Sequence, residues 1–321
     1  MEKVLVTGGT GFIGYHLVHE LLNKGYDVTV IDNLFRSQID QECAKLLKNV
    51  EFKSIDLSAP IDNKLSGSYK YVFHLAAING VKYAEKIPDV VLKTNILSTI
   101  NILEWCKNNK PDSFIFASSS EVYSGAEQLD LISIPTNEKV PLVISDTDIN
   151  RQSYAGSKLA GELLTLNYAK QHQFKSRILR YHNIYGPRMG FDHVIPEVIM
   201  RTLKNENPMN AYGANQTRAF CYISDAIEAT IGVGLELEDP HLTVNIGNSG
   251  EETPIRNLYE TITKMVGNVP ELNEKSAPLG SVNRRCPDVS LLEGLIGYSP
   301  KISLQEGLIE TINWYKNYSL Q

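Results

Sequence analysis

The sequence predicts an α/β fold: a doubly wound parallel sheet with a smaller C-terminal α/β lobe. Three observations predict it. Short β-branched or aromatic runs alternate with longer helical stretches through the first half, as in βαβ units. A glycine-rich turn joins the first strand to the first helix. After about Tyr181 the rhythm loosens, and Pro187, Pro196, Pro208 and Pro240 separate short elements. These place a sheet domain over 1–181 and a ligand-binding lobe mainly over 182–321, with some segments returning to the sheet.

The clearest strands are Lys3 to Thr7, Asp27 to Ile31, Tyr71 to Leu75, Ser113 to Ser118 and Ser176 to Tyr181. Between the first two, Phe12, Ile13, Leu17, Val18, Leu21 and Leu22 recur at helical spacing, and Gly25 is placed to end that helix. Apolar helical stretches near Leu97 to Trp105 and Tyr154 to Leu166 suit either core packing or a four-helix homodimer interface.

The chain has 321 residues, 42% hydrophobic and 21% charged, enough for a full core without staples. A net charge of -6 and no basic run give no footprint for nucleic acid. Cys43, Cys106, Cys221 and Cys286 are scattered, without the spacing of a metal site or disulfide framework. Met1 to Val6 runs straight into an apolar strand, and nothing resembles a membrane span, so a cytoplasmic location is expected.

Thr7-Gly8-Gly9-Thr10-Gly11-Phe12-Ile13-Gly14 lies between a strand and an amphipathic helix. Gly8 permits the turn, Gly11 lets phosphates approach the backbone, and Gly14 allows close helix packing, while the helix dipole favours negative charge. Asp32 ends the second strand, where a carboxylate can accept hydrogen bonds from a ribose diol and repel a 2′-phosphate. That is the pattern of a Rossmann-type NAD site. Arg36 is the dissenting residue, since a guanidinium there could hold the phosphate of NADP.

Tyr154 and Lys158 are four residues apart on one face of a helical stretch. A tyrosine used as a base near neutrality needs its pKa of about 10 brought down, a preference for phenolate worth about 4 kcal/mol. Lys158 could supply part of this and a cationic nicotinamide the rest. Upstream, Ser118-Ser119-Ser120-Glu121 follows a strand, at the carboxyl edge where open α/β sheets bind ligands. His182 reads as a packed strand-end residue.

With these residues the chain resembles the extended short-chain dehydrogenase/reductase family, which includes nucleotide-sugar 4-epimerases, 4,6-dehydratases and uronate decarboxylases. The likeness rests on the glycine motif, Asp32, Asp56-Leu57, His74-Leu75-Ala76-Ala77, Asn95, the Ser119 region, Tyr154-x-x-x-Lys158 and the run from Tyr181 to Arg188. The resemblance implies Tyr154 as base, Lys158 as activator and nicotinamide-ribose ligand, and Ser119 as the hydroxyl that orients substrate. It places Asn33 and Asp56-Leu57 on the adenosine side, Leu75, Ala76 and Ala77 behind the pyrophosphate, and Asn95 at the nicotinamide end. Ser120, Asn183, Val194, Arg218 and Arg285 become substrate ligands, with either Arg284 or Arg285 pointing inward to the diphosphate.

Such chemistry runs through a 4-keto sugar. Returning hydride to the other face gives C4 epimerisation, loss of a C5 carboxylate gives decarboxylation, and elimination across C5 and C6 gives dehydration. The 4,6-dehydratases carry Asp-Glu where this chain has Ser120-Glu121, which disfavours dehydration. Ser119-Ser120-Glu121 looks like the Thr-Ser-Glu of UDP-glucuronate decarboxylases, yet the segment from Gly190 to Pro196 lacks their Asp-Gly-Arg. A 4-epimerase acting on a UDP-sugar therefore ranks first and a decarboxylase second. Glu121 could orient a uronate, act at C5 or accept a local hydrogen bond. A dehydrogenase of a small hydroxy substrate and a non-catalytic dinucleotide sensor stand behind these.

Overall fold

The computed structural model describes residues 1–37, 39–61 and 64–319. The chain runs β1 (Lys3–Thr7), α1 (Phe12–Asn23), β2 (Asp27–Asp32), α2 (Gln41–Leu47), β3 (Glu51–Ser54), β4 (Tyr71–His74), α3 (Val81–Lys86), α4 (Pro88–Asn109), β5 (Ser113–Ser119), α5 (Ser124–Gln128), α6 (Gln152–His172) and β6 (Lys175–Tyr181). It continues as β7 (Ile184–Tyr185), α7 (Val194–Leu203), β8 (Met209–Tyr212), β9 (Thr217–Ala219), β10 (Cys221–Tyr222), α8 (Ile223–Leu235) and β11 (His241–Ile246). The last elements are β12 (Glu252–Pro254), α9 (Ile255–Val266), β13 (Leu272–Lys275), β14 (Arg284–Arg285), α10 (Ser290–Ile296) and α11 (Leu304–Ser319).

The first compact unit comprises 1–122, 150–180 and 227–244. Its core is a seven-stranded sheet in the order β3-β2-β1-β4-β5-β6-β11. β1 pairs in parallel with β2 on one side and β4 on the other, so the strand order reverses beside β1. That reversal opens a crevice at the carboxyl ends of the strands, where a doubly wound sheet binds its ligand. β1 and β4 are buried on both faces, which is why they read as near-continuous apolar runs. Leu5, Val72, Ile102, Trp105, Phe114 and Phe116 share one cluster between the sheet and its helices. Gly25, at φ +81°, follows α1 and donates its N–H back to Leu22, ending the helix as the sequence expects.

The second unit comprises 123–149, 181–226 and 245–321. It contains a three-stranded sheet in the order β12-β9-β14 and a parallel pair of β8 with β13. α9 packs on α7, burying Leu258, Tyr259 and Ile262. Its apolar residues lie on one stripe of the helix.

Among the described residues no helix is long and apolar enough to cross a membrane, and no cluster of His, Cys, Asp and Glu could hold a metal ion. All four cysteines are buried free thiols.

Candidate active site

β1 ends at Thr7 and the chain turns immediately. Gly8 has φ +71°, and a Cβ on it would lie 2.7 Å from the Ala76 nitrogen. A Cβ on Gly14 would lie 2.1 Å from the Gly8 carbonyl oxygen, so only glycine lets α1 start this close to the turn. Gly11 caps α1, Phe12 and Ile13 are its first residues, and the first turn holds no acidic side chain. The amides there suit an anion.

Asp32 closes β2 and is buried. Its Oδ2 accepts hydrogen bonds from the Thr10 hydroxyl at 2.6 Å and the Thr10 N–H at 3.2 Å, and its Oδ1 accepts from the Leu34 N–H at 2.9 Å. The carboxylate is thus fixed to the glycine turn, with further lone pairs for a ribose. Exposed Asn33 and Asp56 each fold back on their own loops, accepting from the Phe35 and Ser58 N–H groups. Leu57 is buried, and its carbonyl accepts from Asn101. Arg36 stacks over the Tyr83 ring at 5.3 Å.

Leu75, Ala76 and Ala77 follow β4, with the Ala76 N–H on the Thr7 hydroxyl. Asn95, deep in α4, is a clamp. Its Oδ1 accepts from the Ile78 N–H at 2.7 Å, and its Nδ2 donates to the Ile78 carbonyl at 3.0 Å and to Ser157 Oγ at 3.1 Å. One amide therefore ties the loop after β4 to α6, a role spacing could not reveal. Asn79 Oδ1, next in that loop, is a buried acceptor with no hydrogen-bond partner in the structure. The glycine cradle, the fixed carboxylate and this acceptor together fit a dinucleotide.

α6 carries Tyr154 and Lys158, and β5 ends in Ser119. Ser119 bonds the Tyr154 phenol and also accepts from the Glu121 N–H. Lys158 is buried. Its ammonium donates to the Ala117 carbonyl at 2.7 Å and lies 5.7 Å from the Tyr154 ring centroid. Burial brings Lys158 down to about 8, opposed by the Glu162 carboxylate. Burial drives Tyr154 the other way, up to about 12; the Ser119 hydrogen bond and Arg36 lower it, and Glu121 raises it.

The sequence expects Lys158 to lower the phenol only in part, with a cationic nicotinamide supplying the rest. In the chain alone desolvation outweighs the polar neighbours, and the lysine is itself weakened as a cation by the same burial. The remaining positive charge has to come from the cofactor.

Glu121 follows Ser120, which is buried, in a 3₁₀ turn after β5. Arg151 holds both oxygens of Glu121, Nη2 to Oε1 at 2.7 Å and Nε to Oε2 at 3.2 Å, with side chains only 16% and 13% exposed. Arg151 was not among the sequence candidates. Its signal was its place three residues before Tyr154.

The second unit gathers the candidate diphosphate ligands. β14 pairs with β9 so that Arg285 and Arg218 are direct partners across the strands. Asn183, at φ +43°, donates from Nδ2 to the Ala219 carbonyl, one residue from Arg218. Arg218 is braced by the carbonyls of Thr217, Val282 and Asn283 and by Gln216. Of the two residues left open at 284 and 285, Arg284 is half exposed and paired with Glu252 at 2.6 Å, while Arg285 is 8% exposed. Val194 opens α7. His182 is buried and shares a hydrogen bond with Asn245.

A family model, described as the NAD dependent epimerase/dehydratase family, matches residues 4–247. A UDP-N-acetyl-alpha-D-glucosaminuronate decarboxylase of Bacillus cytotoxicus is 35% identical, over 98% of both chains. The crystal structure of a UDP-glucose 4-epimerase from Thermotoga maritima with UDP-glucose superposes with a TM-score of 0.87 at 29% identity, covering 99% of this chain and 100% of that one. A UDP-glucuronic acid 4-epimerase from Bacillus cereus, solved with UDP-glucuronic acid and NAD, gives 0.86 at 30% identity, covering 98% and 99%.

Proposed function

The chain belongs to the NAD-dependent epimerase/dehydratase family, and on that premise we propose that it is a UDP-sugar 4-epimerase. The observation that carries this reading is the pairing of Glu121 with Arg151. Dehydration needs a second acid and base, and decarboxylation needs a proton delivered to C5. A carboxylate held at both oxygens by a guanidinium is poor at either task. C4 epimerisation asks for no acid or base beyond the Tyr154 phenol, with the cofactor to exchange hydride and a ring free to turn.

In this mechanism Tyr154 takes the proton of the C4 hydroxyl, and Ser119 holds the same oxygen in line. Bound NAD+ supplies the hydride acceptor and a positive charge beside the phenol. Lys158 adds its ammonium, poised by burial near neutrality. Arg218 and Arg285 grip the diphosphate with two permanently charged forks, and Asn183 assists. Anchoring the diphosphate rather than the sugar lets the 4-keto ring present its other face before Tyr154 returns the proton.

A second reading, decarboxylation of a UDP-uronate, is favoured by the 35% identical relative and by Ser119-Ser120-Glu121. Proton NMR separates the two. The protein is incubated with NAD+ and, in turn, UDP-glucose, UDP-N-acetylglucosamine, UDP-glucuronate and UDP-N-acetylglucosaminuronate. A product inverted at C4 with its carbons intact supports the epimerase, whereas a pentose product with released carbon dioxide replaces it with the decarboxylase.

A further inference from the structure

Behind the catalytic pair lies a buried ionic group that the mechanism above leaves unused. Glu162 is one helical turn beyond Lys158, as Lys158 is beyond Tyr154, so the three share a face of α6. Its Oε1 accepts from Ser118 Oγ at 2.5 Å and from Arg180 Nε at 2.8 Å, and its Oε2 accepts from Arg180 Nη2 at 2.6 Å. Glu162 and Arg180 are 6% and 4% exposed. Ser118 immediately precedes Ser119 in β5, and Arg180 belongs to β6. One carboxylate thus joins the helix bearing base and activator to the strand bearing the orienting hydroxyl.

We propose that Glu162 and Arg180 are positioning residues for catalysis: Glu162 supplies the counter-charge that keeps Lys158 protonated beside Tyr154, and Arg180 with Ser118 fixes where that charge sits. A buried ammonium with only a carbonyl acceptor loses its proton readily. The groups facing Lys158 give it little other help. From β5 come the Ala117 carbonyl and the Phe116 ring, 5.0 Å away, and from β4 comes His74, held neutral by burial with Lys158 adding to the effect. On its own helix Tyr154 is protonated in the chain alone and Glu162 is the anion. Arg180 offsets part of that negative charge. Burial therefore brings Lys158 low enough to release a proton near neutrality, and Glu162 holds it high enough to carry one.

The proposal rests on Lys158 as activator, so its test needs no sugar. NAD+-saturated protein labelled at lysine Cε is titrated by carbon NMR, with Lys158→Met identifying the resonance. Glu162→Gln removes the anion but leaves Arg180, and lowers the Lys158 pKa by about one unit. Arg180→Gln leaves the anion without its paired guanidinium, and raises it. The double variant returns it toward the wild-type value. Opposite movements support the proposal, and either single variant decides by its direction should the other not fold. No movement, or movement of both singles in the same direction, overturns it and leaves the pair as a structural brace. A correct Lys158 response in a protein that turns over no UDP-sugar would sink the epimerase reading alone.

Discussion

Replacing Arg285 with alanine is expected to weaken UDP binding far more than the same change at Arg284, its chain neighbour. Arg284 is half exposed and its partner Glu252 lies near the surface, so that ion pair is worth about 0–1 kcal/mol and its loss should change UDP affinity less than about threefold. Arg285 is 8% exposed and sits in register with Arg218 across β14 and β9. A charge-assisted hydrogen bond to a phosphate oxygen in such a place is worth about 1.5–3 kcal/mol, a loss of roughly 10- to 150-fold. Arg285→Lys keeps the charge but not the fork, and should fall between. The assay is calorimetric titration of UDP into NAD+-saturated protein, with thermal melts to show that each variant is folded. Equal weakening by the two alanine changes, or a change below threefold at Arg285, would refute the assignment of the buried arginine to the diphosphate.

Gly14→Ala sets a methyl group 2.1 Å from the Gly8 carbonyl, so NAD+ binding, followed by fluorescence, should be lost while UDP still binds the second unit. With Tyr154 as the proposed base, activity should require its phenolate in the NAD+ complex and rise as pH passes the phenol pKa. Glu121 raises that pKa, so Glu121→Gln should move the acid limb of the pH profile to lower pH, and Arg151→Met, which uncovers the Glu121 charge, should move it up by about one unit. Limbs that stay in place would remove Glu121 from the electrostatics of the base. The α4 and α6 helices pack together, and Leu92 on one and Leu163 on the other stay 39% and 59% exposed, so a second copy of this chain is expected to cover them. Sedimentation velocity should show a dimer for the wild type and a monomer for Leu163→Glu; a monomeric wild type would end that reading.

Five strands of the main sheet are legible because they lie inside it and read as apolar runs. β3 and β11 were not among them. They are the two edge strands, each paired on one side only, and β3, Glu51-Phe52-Lys53-Ser54, is half exposed and carries charge at alternate positions. The return of 227–244 to the first unit and of 123–149 to the second follows no local composition signal.

The sequence by itself determined whatever depends on neighbours within one turn or one strand: the glycine turn before α1, Asp32 at the end of β2, and the spacing that puts Tyr154 and Lys158 on one face. Backbone sterics and helical period act over a few residues, so composition and order suffice. Only the tertiary structure decided which charges meet. Glu121 faces Arg151 across 30 residues, Glu162 faces Arg180 across 18, and Arg218 finds Arg285 through strand register. Burial decided the rest, pushing the phenol up and the ammonium down. Desolvation and Coulomb energy depend on what surrounds a group in space, and that is set by packing between segments far apart in the chain.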